Sequence, residues 1–370
     1  MDLDAIASNY RLLRGRVAPR PVYAVVKADA YGHGAEAVAR RLAREGADRF
    51  AVAQTDEGIR LRRSGVAGEV LVLSHAEAAD LPRLRAYGLT PALYDLEQIR
   101  DLAAASREFL APIGAHLELD TGMGRAGLRF EELTAAVETL RAAPGLRVVG
   151  TFANLSSADD ASSPATPRQV ERLREGAARL SAAGIGTGLV HLANSAAVLG
   201  HRDAWLDAVR PGLALYGIDP RPGTAEPGLR PAMSVETSVL AIRVLPAGTA
   251  IGYGGRFVTA RATTIAVLPI GYADGYRRSF SGTASVLLHG RPAPVVGAVS
   301  MDVTLVDATG LSVERGDRAV CLGTQDGASV SAWDLALAAG TIPYEVLCGF
   351  GPRVARAYGP DADEPATGAH

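Results

Sequence analysis

From the N-terminus to Leu215, short apolar runs alternate with longer amphipathic stretches. The runs are Val22–Lys27, Arg49–Ala53, Val70–Leu73, Thr90–Leu93, Ala115–Leu119, Arg147–Phe152, Leu189–His191 and Ala208–Arg210. Between them lie Ala35–Arg44, Thr55–Ser64, Ala76–Tyr87, Leu96–Ser106, Phe130–Ala142 and Pro167–Ala183, whose apolar residues recur at helical spacing. Continuous apolar strands alternating with helices predict a parallel sheet covered by helices. Eight such runs within about 200 residues fit an α/β fold of the (β/α)8 TIM-like barrel type. An open doubly wound sheet shows the same alternation, so the strand count decides, and Thr90–Leu93 and Ala208–Arg210 are its weakest members.

Past Arg230 the rhythm changes. Val235–Val244, Ala262–Leu268, Ala284–Leu288, Pro294–Ala298, Thr304–Asp307 and Ala319–Leu322 read as strands separated by Gly and Pro turns, and only Ala332–Gly340 reads as a clear helix. The expected organisation is a barrel domain over 1–225, a mostly-β domain over 226–360, and a polar, disordered tail over 361–370. The boundary falls in Gly217–Pro231, where Pro and Gly cluster. No internal repeat is visible.

Composition narrows the function classes. Lys+Arg is 38 against Asp+Glu 40, a net charge of -2, and no basic patch stands out. That balance argues against a protein that lives on nucleic-acid phosphates or an anionic membrane. The two cysteines, Cys321 and Cys348, neither build a disulfide framework nor show zinc-ligand spacing, so no metal site is expected. The opening Met1-Asp2-Leu3-Asp4 has no signal-peptide character, and no apolar run approaches the roughly 20 residues needed to span a bilayer. A cytoplasmic protein is expected.

Lys27 closes the first apolar run, at the strand end where barrel active sites lie. Desolvation there lowers a lysine pKa, as bond formation to a carbonyl cofactor requires. Position alone favours the plainer alternative, a strand-end lysine reaching back to water. The following Ala28-Asp29-Ala30-Tyr31-Gly32-His33-Gly34 shifts that balance. Val-Val-Lys-Ala-Asp-Ala-Tyr-Gly-His-Gly resembles the cofactor-lysine motif of the alanine racemases, pyridoxal-phosphate (PLP) enzymes built from a barrel plus a β domain. Further segments carry the same resemblance in the same order. They are Asp120-Thr121-Gly122-Met123-Gly124-Arg125, Asn194-Ser195-Ala196-Ala197, Arg210-Pro211-Gly212-Leu213, Gly252-Tyr253-Gly254, Gly271-Tyr272-Ala273-Asp274-Gly275-Tyr276, Ser300-Met301-Asp302 and Pro343-Tyr344-Glu345.

The resemblance implies roles residue by residue. Lys27 would hold PLP and act as the base on the face of Cα used by D-alanine, with Tyr253 as the base on the L-alanine face. Tyr253 would enter from a second subunit, making a homodimer with shared sites. Ser195, the Gly212 and Leu213 amides, Tyr31 and Tyr344 would bind the phosphate. Arg210 would face the ring nitrogen, supported by His191. Arg125 and the Met301 N–H would hold the carboxylate of a small amino-acid substrate, with Tyr272 narrowing the entrance and Asp302 in support. The residues alone leave plainer readings open: Ser195 as a helix cap, Tyr253 as a structural turn residue.

Two positions depart from the family pattern. Glu118 stands where the family often has a carboxylated lysine, and reads either as a substitute anion positioning Arg125 or as a solvated strand-end glutamate. Asn154 stands where histidine usually packs beside the cofactor ring. The activity expected is interconversion of L- and D-alanine, supplying D-alanine for peptidoglycan. A broad-specificity or serine racemase and a non-catalytic PLP-binding protein are the alternatives.

Overall fold

The computed structural model describes residues 1–74, 76–107, 109 and 111–359. The expected tail at 361–370 lies outside the described residues. The chain forms two compact units, one of Leu3–Ala30 with Gly34–Arg230, the other of Met1–Asp2, Tyr31–His33 and the chain from Pro231 on.

The first unit opens with helix α1 (Leu3–Val17), followed by β1 (Ala24–Val25), α2 (Lys27–Gly32), α3 (Ala35–Arg44), β2 (Arg49–Val52), α4 (Thr55–Arg63) and β3 (Glu69–Val72). Next come α5 (Leu81–Ala86), β4 (Thr90–Leu93), α6 (Leu96–Ala105), β5 (Ile113–Glu118), α7 (Leu133–Arg141) and β6 (Leu146–Phe152). It ends with α8 (Ala165–Ala182), β7 (Leu189–Ala193), α9 (Ser195–Gly200) and β8 (Ala208–Val209). Among the described residues, eight strands lie in the order β1 to β8, every neighbouring pair parallel. A parallel bridge from Val22 to Val209, with the Tyr23 N–H donating to the Val209 carbonyl, joins the first strand to the last and closes the barrel.

The chain opens on a helix. Leu3, Ile6, Tyr10, Leu13 and Val17 are its buried stripe at helical spacing. The first strand is also shorter than its apolar run, because the chain leaves the extended conformation at Lys27. Ala28, Asp29, Ala30 and Tyr31 all have φ between 52° and 54°, so α2 is a left-handed turn. Each non-glycine residue there costs about 1–2 kcal/mol, and such a run survives only where its surroundings over-determine it.

The second unit is antiparallel. β9 (Val235–Ser238), β10 (Ala241–Leu245), β11 (Ala250–Ile251), β12 (Phe257–Val258), β13 (Thr263–Leu268) and β14 (Ser285–Leu288) come first. β15 (Arg291–Pro294), β16 (Thr304–Asp307), β17 (Arg318–Gln325), β18 (Ala328–Val330), α10 (Ala332–Ala339) and α11 (Pro343–Gly349) follow. The sheets are β10-β13-β16, β15-β14-β17-β18 with β9 also on β17, and the hairpin β11-β12. The run Val235–Val244 divides into β9 and β10, and the strand expected at Pro294–Ala298 lies earlier, at Arg291–Pro294.

Candidate active site

Apart from His191, which lies within β7, every barrel residue singled out above sits at the C-terminal end of a strand or in the loop beyond it, the end at which barrels carry function. Lys27 follows β1 and is half-buried. The Tyr216 hydroxyl donates to the Val25 carbonyl at 2.8 Å, fixing the strand beneath it. One carboxylate then pins the left-handed turn. Glu57 of α4 accepts from the Ala28 N–H at 2.7 Å through one oxygen, and from Ala53 and Gln54 through the other. Asp29 accepts from the Ala35 N–H at 2.9 Å and ties the turn to α3. Glu57 was not foreseen, although its place three residues after Gln54 is capping-box spacing.

Arg210 follows β8 and is only 4% exposed. Its Nη1 donates to His191 Nδ1 at 2.6 Å and to the His191 carbonyl at 3.1 Å. Its Nη2 donates to the Ala153 carbonyl at 2.8 Å and to Asn154 Oδ1 at 3.0 Å. Phe152 lies under the guanidinium, 5.0 Å from ring centre to Cζ. A guanidinium has five N–H donors. Four are spent here, and the Nε–H is the one with no partner among the described residues. Burial, opposed by Glu118 and Tyr23 and aided by Arg125, lowers the Arg210 pKa to about 10. Burial, then Arg210 and His116, push His191 far below the ordinary histidine value, so its ring is neutral.

Asn154, just past β6, joins opposite charges. Its Oδ1 accepts from Arg210, and its Nδ2 donates to Glu118 Oε1 at 2.7 Å. Glu118 ends β5 and is buried; burial raises its pKa against the pull of Asn154, Arg210 and Arg125. Its hydrogen bond runs to Asn154, and none runs to Arg125 among the described residues. Arg125 is exposed on the next loop. Asp120 holds that loop by accepting the N–H groups of Gly122, Met123 and Gly124 at 2.9, 3.0 and 3.1 Å.

Ser195 opens α9 beyond β7, and Asn194, not Ser195, caps that helix. Ser195 Oγ instead accepts from the Gly212 and Ala214 N–H groups at 2.8 and 3.1 Å, which brings the loops after β7 and β8 together. Leu213 starts a 3-10 turn there, where an N–H has no partner within the turn.

The remaining residues belong to the second unit. Tyr31 is buried and its ring lies 6.0 Å from that of Tyr344, which begins α11 beside Pro343. Burial raises the Tyr31 pKa steeply, keeping its hydroxyl protonated as a donor. Tyr253 stands at the tip of the β11-β12 hairpin between Gly252 and Gly254, whose φ values of 71° and 72° suit glycine. Tyr272 and Met301 lie on adjoining loops, because the Tyr272 N–H donates to the Ser300 carbonyl and that of Ala273 to the Met301 carbonyl, both at 3.0 Å. Arg353 clamps these loops through Asp274 at 3.2 Å and Asp302 at 2.8 Å. This gives exposed Asp302 a positioning contact and adds Arg353, whose partners lie far away in sequence.

Residues 1–220 match the family described as "Alanine racemase, N-terminal domain", and residues 232–358 the family described as "Alanine racemase, C-terminal domain". An alanine racemase of Symbiobacterium thermophilum is 41% identical over 362 residues, covering 97% of this chain and 96% of that protein. The structure of alanine racemase from Streptomyces coelicolor is similar with a TM-score of 0.94 at 34% identity, over 98% of this chain and 97% of that one. One from Bartonella henselae with covalently bound pyridoxal phosphate gives 0.89 at 32% identity, over 97% and 98%.

Proposed function

The chain belongs to the alanine racemase family, and from that premise we propose how its own residues interconvert L- and D-alanine with pyridoxal phosphate. The observation that carries the reading is Arg210: a buried cation with four donors committed and its Nε–H still available. A ring nitrogen with a lone pair fits that donor. Ser195 and the N–H groups around Gly212 and Leu213, with the protonated Tyr31 hydroxyl, suit phosphate oxygens.

When bound, PLP supplies an electron-withdrawing ring that stabilises negative charge at the substrate Cα. Arg210 gives up no proton, so it would leave the ring nitrogen unprotonated and restrain that withdrawal, favouring removal and return of one proton over deeper rearrangement. Asn154 would keep Arg210 aligned from the side opposite His191. Lys27 would secure the cofactor and exchange the Cα proton on the face used by D-alanine. Tyr253 would exchange it on the other face, because inversion needs an acid/base on each side. Arg125 and the Met301 N–H would hold the carboxylate, and Tyr272 and Tyr344 would exclude larger side chains.

Tyr253 would come from a second copy of the chain, making a homodimer. Every exposed large apolar or aromatic side chain among the described residues lies in the second unit: Leu240, Val244, Tyr253, Val258, Tyr272, Met301, Leu337 and Ile342. Such a concentration supports an interface there. The barrel at 1–225 would hold the cofactor and the β-rich region at 226–360 would complete the site. Among the described residues no helix is long and apolar enough to cross a membrane, in keeping with work in the cytoplasm on a small amino acid.

The test is L-alanine with the PLP-loaded protein in heavy water, following Cα exchange and product chirality together. Deuterium incorporation with matching formation of D-alanine is expected. Exchange without inversion would remove Tyr253 from its role, and neither process with alanine but both with serine would make serine the substrate.

A further inference from the structure

The barrel interior carries a line of polar side chains that the reading above uses only at its upper end. His191 Nε2 lies 2.8 Å from His116 Nδ1, and His116 Nε2 lies 3.0 Å from Glu69 Oε1. Glu69 Oε2 accepts the Tyr23 hydroxyl at 2.9 Å, with Arg49 Nε at 3.6 Å. Tyr23 immediately precedes β1, and Glu69, His116 and His191 belong to β3, β5 and β7. Alternate strands of a barrel contribute one interior layer of four side chains, ordinarily branched and apolar. Here the whole layer is polar. Burying such groups costs free energy unless each is paired, so the arrangement calls for a reason.

The hydrogens run in one direction. Arginine only donates, so His191 Nδ1 must present a lone pair and His191 Nε2 must carry the hydrogen. That hydrogen goes to His116 Nδ1, which leaves the His116 hydrogen on Nε2, pointing at a carboxylate. Both imidazoles are therefore neutral Nε2–H tautomers. His116 Nε2 and Glu69 Oε1 form a close polar contact at 3.0 Å, and Oε1 has no hydrogen-bond partner among the described residues. His191 stacks on Phe152 and Tyr23, with ring centres 5.3 and 5.2 Å apart. His116 fits because residue 150 on β6 is glycine: a Cβ there would meet three ring atoms at 2.4–2.5 Å.

We propose that Glu69, acting through His116 and His191, is a positioning residue for Arg210. Its carboxylate, 3.0 Å from the His116 nitrogen that carries the last hydrogen, favours both tautomers, so His191 offers Arg210 a lone pair and the guanidinium keeps its free Nε–H in place. Burial works against ionisation of Glu69, but His116, Tyr23 and Arg49 outweigh it and hold the carboxyl below its ordinary value. A glutamine at 69 can present its NH2 to His116 and reverse the line, setting an N–H of His191 against an N–H of Arg210. The consequence for catalysis rests on the reading of Arg210 given above, whereas the tautomer pattern does not.

The experiment is nitrogen NMR of the full chain labelled with 15N-histidine, with and without PLP. Two rings protonated at Nε2 alone, assigned by loss in His116→Asn and His191→Asn, are expected. Protonation of either ring at Nδ1 overturns the proposal. In Glu69→Gln the pattern should change and the visible absorption of bound PLP should shift, with kcat falling about 10- to 100-fold, the range known for hydrogen-bond partners of metal-ligating side chains, and KM nearly unchanged. Gly150→Ala, which changes none of the four layer residues but displaces His116, should do the same. Native tautomers with unchanged absorption and kcat in both variants would reduce the layer to packing. If the tautomers are as expected but Arg210→Lys racemises normally, the reading of Arg210 fails and the tautomer line stands.

Discussion

At the barrel end, Arg210 is 4% exposed with four hydrogen bonds from its Nη groups, and Ser195 is 2% exposed and accepts two backbone amides. In the second unit, Tyr253 is 69% exposed, Met301 53% and Tyr272 42%. The barrel residues are held by contacts within their own unit, so their geometry is fixed before any ligand arrives. The three others have well-defined backbones and uncovered side chains. Cofactor binding needs a rigid cradle, which one folded barrel can build. A second acid/base must approach from the opposite face, and a second copy of the chain can deliver it.

Substitutions should separate the two regions. The largest effect on rate belongs to Tyr253→Phe. Losing a positioned acid/base group costs about 10²–10⁴-fold in turnover. Because the side chain is exposed, thermal stability should stay within about 0.5 kcal/mol of the parent. A comparable loss of stability would show that Tyr253 serves the hairpin and would erase the contrast.

Arg210→Met should behave in the opposite sense. It strands the acceptors of His191, Ala153 and Asn154, at about 1–3 kcal/mol for each buried group left unsatisfied. A fall in unfolding free energy of several kcal/mol, seen by denaturant titration without cofactor, is expected. A variant as stable as the parent would mean that the barrel network is not preformed.

The smallest effect is at Glu118. Burial raises its folded-state pKa, so the folded protein holds that proton more tightly than the unfolded chain does. Its contribution is intact at acid pH and declines as pH rises from the unfolded value of about 4.3 through the higher folded one. Glu118→Gln removes that decline. The variant should melt above the parent at neutral pH, with the gap closing below about pH 4, the unfolded carboxyl range. A lower melting temperature at neutral pH would show that the ionised carboxylate is the stabilising form.

Much of the barrel was legible because parallel strands are buried on both faces and read as unbroken apolar runs. β2 to β7 lie close to those runs for that reason. β1 was overestimated because nothing in Ala28-Asp29-Ala30-Tyr31 announces a left-handed turn; Glu57 and Asp29 impose it through tertiary contacts. Lys27, Arg125, Ser195, Arg210 and Tyr253 were visible because they sit in dense motifs. Glu69 and His116 were not. Glu69 stands just before the run Val70–Leu73 and His116 inside Ala115–Leu119, with no motif around either, and only the barrel register brings them into one layer. Arg353 stayed hidden in the same way, since Asp274 and Asp302 reach it only in the folded unit.

The central claim is that one chain supplies the cradle and another the second base. Mixing Lys27→Ala with Tyr253→Phe tests it most directly. Each variant alone should be inactive. After subunit exchange half the dimers are hybrids, each with one intact site of two, so about a quarter of the parent activity should return under two-fold symmetry. If the mixture forms hybrid dimers yet stays as inactive as its components, Lys27 and Tyr253 of the same chain serve the same site, and the account is contradicted.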